Sequence, residues 1–142
     1  MARVFQKDKE RLYSHQVATR WYRAPELLYG ARKYTHSVDL WAIGCIFGEL
    51  LNCSPLFPGE NDIEQLWFVI RVLGTPNEET WPEMKELPDY NKIGFSYCKS
   101  LPFDEILQDA SNEAIDLIKR FLVYPPDQRI PVFQFNMTDN DT

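Results

Sequence analysis

Cysteine is scarce in this 142-residue sequence: Cys45, Cys53 and Cys98 form no C-x-x-C pair. An odd count without a signal peptide fits a reducing compartment, cytoplasm or nucleus, better than a disulfide framework. The N-x-S/T sequons at Asn52, Asn136 and Asn140 are then chance matches, because glycosylation requires the secretory route. Glycine is thin as well. Its six copies are never two apart, so no G-x-G-x-x-G loop is present to cradle a phosphate. The longest apolar run, from Val38 to Leu51, is short and contains Asp39 and Glu49, which excludes a span of a bilayer core roughly 30 Å thick. An excess of positive charge is missing too: 15 Lys and Arg stand against 21 Asp and Glu, a net charge of −6. A nucleic-acid binder needs a basic surface to displace counterions, and that class is set aside. His15 and His36 stand alone, with no carboxylate or second histidine at ligand spacing, so no metal site is expected.

What is present is a chain that is 44% apolar and 14% aromatic, the makeup of one globular domain or part of one. Its charge is uneven, with 8 basic and 3 acidic residues in 1–36 and the acidic excess in the remainder. Any anion-binding work therefore belongs to the first quarter. Residues 1–23 have no steady period and read as an ordered or switchable loop. Pro25 suits the first turn of a brief helix from Ala24 to Tyr29 that Gly30 would end. Thr35 or Ser37 is expected to cap a helix running to about Leu51, whose apolar residues occupy every side and so need cover all round. Gly44 and Gly48 on it mark close helix packing. Asn61 and Glu64 suggest a capping box for a helix carrying Ile63, Leu66, Trp67, Ile70 and Leu73, stopped by Gly74. Residues 75–110, with four prolines, read as a long irregular insert. Ser111 caps a last helix striped with Ala114, Ile115, Ile118, Phe121 and Leu122, which Pro125-Pro126 would terminate. The polar tail 131–142 is expected to fray.

The decisive pattern is Trp21-Tyr22-Arg23-Ala24-Pro25-Glu26, then Asp39-Leu40-Trp41-Ala42-Ile43-Gly44, then Asp127-Gln128-Arg129. A-P-E closes the activation segment in the protein-kinase signature set. Alone it is a weak match, but joined to the D-x-W-x-x-G helix and the late arginine it is specific. With Leu56-Phe57-Pro58-Gly59 and the Thr-Pro after Leu73-Gly74, the chain resembles the C-terminal lobe of cyclin-dependent-kinase-like Ser/Thr protein kinases from residue 2 to about 130. The resemblance implies a mainly α fold, one lobe of a two-lobed α+β kinase, incomplete at both ends, with a partial kinase domain in 1–130 and a divergent tail in 131–142.

It also implies roles position by position. Ser14 falls at the activation-loop phosphosite, where a phosphate would add about −1.5 to −2 charge and need arginine partners, of which Arg3 matches one. Thr19 matches the threonine that bonds the catalytic aspartate. Ala18 and Arg23 match positions that shape a pocket for a proline following the phosphoacceptor, although Ala18 replaces the commoner valine. Glu26 and Arg129 match a buried structural ion pair, and Asp39 matches the helix aspartate that accepts backbone N–H bonds from the catalytic loop.

Phosphoryl transfer in kinases needs a glycine-rich lid, a strand lysine, a catalytic-loop aspartate and asparagine, and a D-F-G aspartate on magnesium. The sequence has no V-A-I-K, no H-R-D and no D-F-G. Met1-Ala2-Arg3-Val4 corresponds to the stretch just after D-F-G, so a truncated product, a splice form or a partial gene model, is expected. No residue here is assigned a catalytic role and no cofactor is expected for this chain, while ATP and magnesium belong to the parent family. Protein substrates or regulators would meet the activation segment and the insert, and a cyclin or an activating kinase is a possible partner of the parent. Two readings follow: a kinase part inactive on its own, or a non-catalytic interaction module that competes for partners of the full kinase. With upstream cover missing from the Val38-to-Leu51 helix, low autonomous stability is expected.

Overall fold

The structure, a computed structural model, describes residues 20–130. The loop preceding Arg20 and the tail after Ile130, on which expectations of a switchable loop and of fraying were placed, lie outside the described residues. Among those described, the fold is mainly α without strands, in agreement with the expected class: α1 (Pro25–Leu28), α2 (Ser37–Asn52), α3 (Asp62–Leu73), α4 (Phe103–Ile106) and α5 (Asn112–Phe121), with 3-10 turns at Pro82–Glu86 and Pro126–Gln128.

Local chemistry explains most boundaries. Proline opens α1, where its missing N–H costs nothing. The Asn61 side chain accepts the Glu64 N–H at 2.8 Å, and the Ser111 hydroxyl accepts the Ala114 N–H at 3.1 Å. The return half of the box at α3 is displaced by one residue, since the Glu64 carboxylate accepts the N–H of Glu60 rather than that of Asn61. Gly74 ends α3 at φ 86°, a conformation that a side chain would strain. The start of α2 departs from expectation. His36, and neither Thr35 nor Ser37, occupies the cap position, because the Thr35 hydroxyl takes the Ser37 N–H and donates to the Ser37 hydroxyl in a local turn. The last helix stops at Phe121, ahead of Pro125-Pro126.

The core gathers around α2. Trp41 is fully buried, stacked on Phe57 with ring centres 6.0 Å apart. Leu66, Val69 and Ile70 of α3 and Ile118 and Leu122 from the α5 region are likewise buried. Gly44 lets α2 and α5 approach closely: a Cβ there would lie 2.6 Å from the Phe121 Cβ. The 75–110 insert is not an appendage. Trp81, Met84, Phe103 and Leu107 are core residues, and Trp81 stacks on Tyr124 at 5.3 Å and meets Tyr29 edge-on at 5.9 Å. Each such aromatic pair contributes ~0.5–1.5 kcal/mol beyond its burial. The Tyr124 hydroxyl, donating to the Gly74 carbonyl, joins the end of α3 to this stack.

One face of α2 is left open. Ile43, Ile46 and Leu50 are 41%, 48% and 74% exposed, on the same side as exposed Asp39. The spacing of 4, 3 and 4 residues puts all four in one line along the helix.

Candidate functional site

The segment 20–26 is fastened at both ends. At its C-terminal end Glu26, at the start of α1, meets Arg129, which follows the last 3-10 turn. The two side chains form a bidentate fork, with Nη1 to Oε2 and Nη2 to Oε1 both 2.8 Å. Nη1 also donates to the Ser37 carbonyl at 3.1 Å, Nη2 to the Tyr124 carbonyl at 3.2 Å, and Nε to the Val123 carbonyl at 3.1 Å. All five guanidinium donors are thus used. The guanidinium carbon stands 5.1 Å from the Trp41 ring centre, so the cation also rests on an aromatic face. Both side chains are essentially fully buried. A buried pair satisfied in this way contributes little net stability, but it fixes which elements meet: α1, the start of α2 and the segment after α5.

The N-terminal end is fastened to the start of α3. Arg20 Nε lies 3.1 Å from Asp62 Oδ1 and its Nη1 donates to the Glu60 carbonyl at 3.0 Å. Arg23 lies 3.7 Å from the same carboxylate. These partly exposed pairs are worth ~0–1 kcal/mol each and matter more for placement than for stability. The Trp21 indole donates to the Gly59 carbonyl at 3.0 Å. Tyr22 turns the other way and donates its hydroxyl to the Glu49 carboxylate of α2 at 2.5 Å. Burial, followed by that carboxylate, pushes the Tyr22 pKa up to about 12. Burial also pushes up the Cys45 thiol, which lies in the core as a packing group rather than a nucleophile.

The structure therefore brings Glu26 and Arg129 together and sets Arg23 beside Asp62. Asp39 lies in the first turn of α2, exposed, and its side chain has no hydrogen-bond partner among the described residues. Ser14, Arg3, Ala18 and Thr19 lie outside the described residues. Sequence reasoning missed Gln65, Glu49 and Asp62. For Gln65 a signal existed: it stands one turn before Val69, on the face of α3 that enters the core. The expected stripe instead placed Ile63 inward, where the structure exposes it. Trp67, partly buried, stacks on Phe95 of the insert at 5.9 Å, in keeping with a packing role.

A cleft of about 560 Å³ lies beside the start of α2, lined by Thr35, His36, Leu40, Glu83, Asp127 and Arg129 among others. Among the described residues no group of three His, Cys, Asp or Glu side chains could hold a metal ion, and no helix is long and apolar enough to cross a membrane.

A family model described as protein kinase domain matches residues 1–139. Among curated proteins, Cyclin-dependent kinase 20 of Danio rerio is 69% identical over 134 residues, covering 94% of this chain and 39% of that relative. The proteins of the same description from Pongo abelii and Homo sapiens are 68% and 66% identical over 130 residues, covering 92% of this chain and 38% of each. The chain spans less than two-fifths of the length of these relatives.

Proposed function

The chain belongs to the protein kinase domain family, and from that premise we propose that it is the substrate-facing part of a cyclin-dependent-kinase-like Ser/Thr kinase with a role in cell-cycle regulation. The parent protein transfers the γ-phosphate of ATP to Ser or Thr, preferring a following proline, while this chain alone is inactive. The observation that carries the reading is the clasp between Glu26 and Arg129, 103 residues apart, which anchors the W-Y-R-A-P-E segment as a rigid ledge. A peptide-binding surface must be held before substrate arrives, because positioning is most of what a kinase contributes beyond its metal and lysine.

In this reading Ser14 takes an activating phosphate with Arg3 among its partners, and Ala18, Thr19 and Arg23 form the pocket for substrate. Asp39 awaits the backbone of a catalytic loop that this sequence does not contain. ATP and magnesium act in the parent protein, in the cytoplasm or nucleus, where a cyclin or an activating kinase also engages it. No catalytic residue is assigned to this chain. Phosphoryl transfer depends on charge stabilisation by metal and lysine, and nothing in 1–142 replaces H-R-D or D-F-G.

The test is transfer of radiolabel from ATP with magnesium to a Ser-Pro peptide. The 142-residue chain is expected to label nothing, and a chimera in which it replaces the matched stretch of the Danio rerio relative is expected to label the peptide. Label transferred by the pure chain, and lost when Thr19 or Arg23 is altered, would overturn the proposal. The exposed Ile63 and Tyr97 favour a second reading, a non-catalytic module that competes for partners of the full kinase. That reading is tested by whether the chain displaces proteins already bound to the full-length relative.

A further inference from the structure

Gln65 is a polar residue in a position where α3 is otherwise apolar, and its side chain is completely buried beside Leu66. Burial of a primary amide is costly unless both ends are bonded. Here they are bonded to two different segments. The Oε1 atom accepts the Gly59 N–H at 3.0 Å, and Nε2 donates to the Trp21 carbonyl at 3.3 Å. Gly59 in turn accepts the Trp21 indole N–H at 3.0 Å, closing a ring of three bonds among three residues. The ring leaves no spare room: a Cβ on Gly59 would lie 2.5 Å from the Gln65 backbone nitrogen and Cα.

The chemistry at the two ends is directional. Gly59 supplies a donor and needs an acceptor, whereas the Trp21 carbonyl needs a donor, and a neutral amide of this length offers both at once. Glutamate would keep the first bond and set a carboxylate against a carbonyl. Methionine would fill the space and lose both. Trp21 is two residues past Thr19 and two before Arg23, so the bond reaches the middle of the segment that carries the proposed substrate pocket. The surrounding ties do not duplicate it. Arg20 and Arg23 reach Asp62 through partly exposed ion pairs, and Tyr22 is held by α2 on the opposite side.

We infer that Gln65 is a positioning residue for peptide substrate, setting the backbone at Trp21 and thereby the ledge that receives the residue after the phosphoacceptor. This rests on the substrate-platform reading above. It predicts a defect in peptide recognition rather than in nucleotide handling.

The experiment uses the full-length chimera with the Danio rerio relative, unsubstituted and carrying Gln65→Glu or Gln65→Met. Steady-state kinetics are measured on paired Ser-Pro and Ser-Ala peptides, with amide hydrogen exchange of a fragment covering 20–23 as a readout independent of activity. Both variants are expected to exchange faster over 20–23, to raise the KM for the Ser-Pro peptide about tenfold, and to lose part of the preference for Ser-Pro. The KM for ATP and kcat should stay within about twofold, because no nucleotide-binding group is touched. Gln65→Glu, which retains the bond to Gly59, keeps the test decisive if Gln65→Met does not fold. Unchanged exchange over 20–23 in Gln65→Glu overturns the inference, and so does an unchanged peptide preference with lowered thermal stability, the signature of a structural role alone. An unsubstituted chimera that transfers no phosphate counts against the platform reading instead, and the exchange result still decides for or against the role of Gln65.

Discussion

On one side of α2, Leu40, Trp41, Gly44, Cys45 and Gly48 are buried beneath α5 and the segment around Arg129, whereas on the other Ile43, Ile46 and Leu50 face outward beside Asp39. The two faces differ little in residue type. What separates them is the presence of a partner, and the covered side is where the fastenings of Tyr22 and Glu26 meet: Glu26 with Arg129, Tyr22 with Glu49, Trp41 beneath the guanidinium. The ledge is thus completed by elements within 20–130. The open face matches the expectation of an all-round apolar helix with incomplete cover, and area left in water, rather than any fault in the clasp, is the ground on which low autonomous stability is expected. A domain with a net stability of 5–15 kcal/mol cannot leave many such residues uncovered.

The largest effect should come from breaking the covered side at its most saturated point. Arg129→Ala strands the Glu26 carboxylate and frees three carbonyls, and Glu26→Ala strands the guanidinium, each costing ~3–5 kcal/mol. In the isolated chain this is expected to abolish cooperative unfolding followed by circular dichroism. In the full-length chimera it should lower the urea midpoint sharply. Replacing both partners with apolar residues should cost much less than either single change, because no charge is left uncompensated. If the single variants melt like the parent, the covered face is not held by this clasp.

A smaller loss tests how tightly that face is packed. Alanine at position 44 gains helix propensity of ~1 kcal/mol, but its Cβ would lie 2.6 Å from the Phe121 Cβ, which cannot swing aside as a side-chain tip could. Overpacking of this kind costs ~1–3 kcal/mol, so a net loss is expected for Gly44→Ala. Gly48→Ala meets the terminal methyls of Leu56 and Ile118, which can rotate away, and should be milder. Denaturant midpoints of the two variants, compared side by side, check the order.

Alkaline pH probes the same face without mutation. Tyr22 and Tyr29 are both pushed up to about 12 from an ordinary value of 10.0, chiefly by burial, aided by Glu49 for the first and Tyr90 for the second. A folded-state pKa above the unfolded one means the fold favours the neutral hydroxyl. The contribution is fully present below pH 10 and is lost as pH rises from there through about 12. Stability should therefore fall over that window, measured by urea midpoints at pH 9, 10 and 11, and Tyr22→Phe should flatten part of the fall.

Local rules made much of this architecture readable in advance. The caps at Asn61 and Ser111, the stop at Gly74 and the close approach at Gly44 each depend on a few neighbouring residues, and motif spacing pointed to both Glu26 and Arg129. The misreadings arose where distant or competing partners decide. The Thr35 hydroxyl is taken up by Ser37 two residues on, in a local turn, and His36 holds the cap position. Residues 75–110 are irregular as expected, and what their lack of a period leaves unread is only the partner, Tyr124, on which Trp81 stacks 43 positions away. Gln65 carries no signal in the apolar stripe because its two partners, Gly59 and the Trp21 carbonyl, are backbone groups that no composition or stripe records. The stripe counts Ile63 among the apolar residues of α3, whereas the buried face runs through Gln65, Leu66, Val69 and Ile70 and leaves Ile63 half exposed.

The smallest expected change is the most informative about the open face. Leu50 is 74% exposed in the described fold, so Leu50→Lys removes no buried contact there, and its effect on the stability of the 142-residue chain should fall within about 0.5 kcal/mol. If Ile43, Ile46 and Leu50 are instead covered in the full-length chimera, the same substitution places a charge in an apolar contact and should cost several times more, since burying a leucine side chain is worth ~1.5–3 kcal/mol before the charge is counted. Urea midpoints of Leu50→Lys in both contexts separate the cases. A small effect in the short chain with a large one in the chimera means that the face is open only for want of a partner. Equal small effects would show that it remains in water in the chimera as well, and the contrast between the two sides of α2 would then not depend on what surrounds the matched stretch.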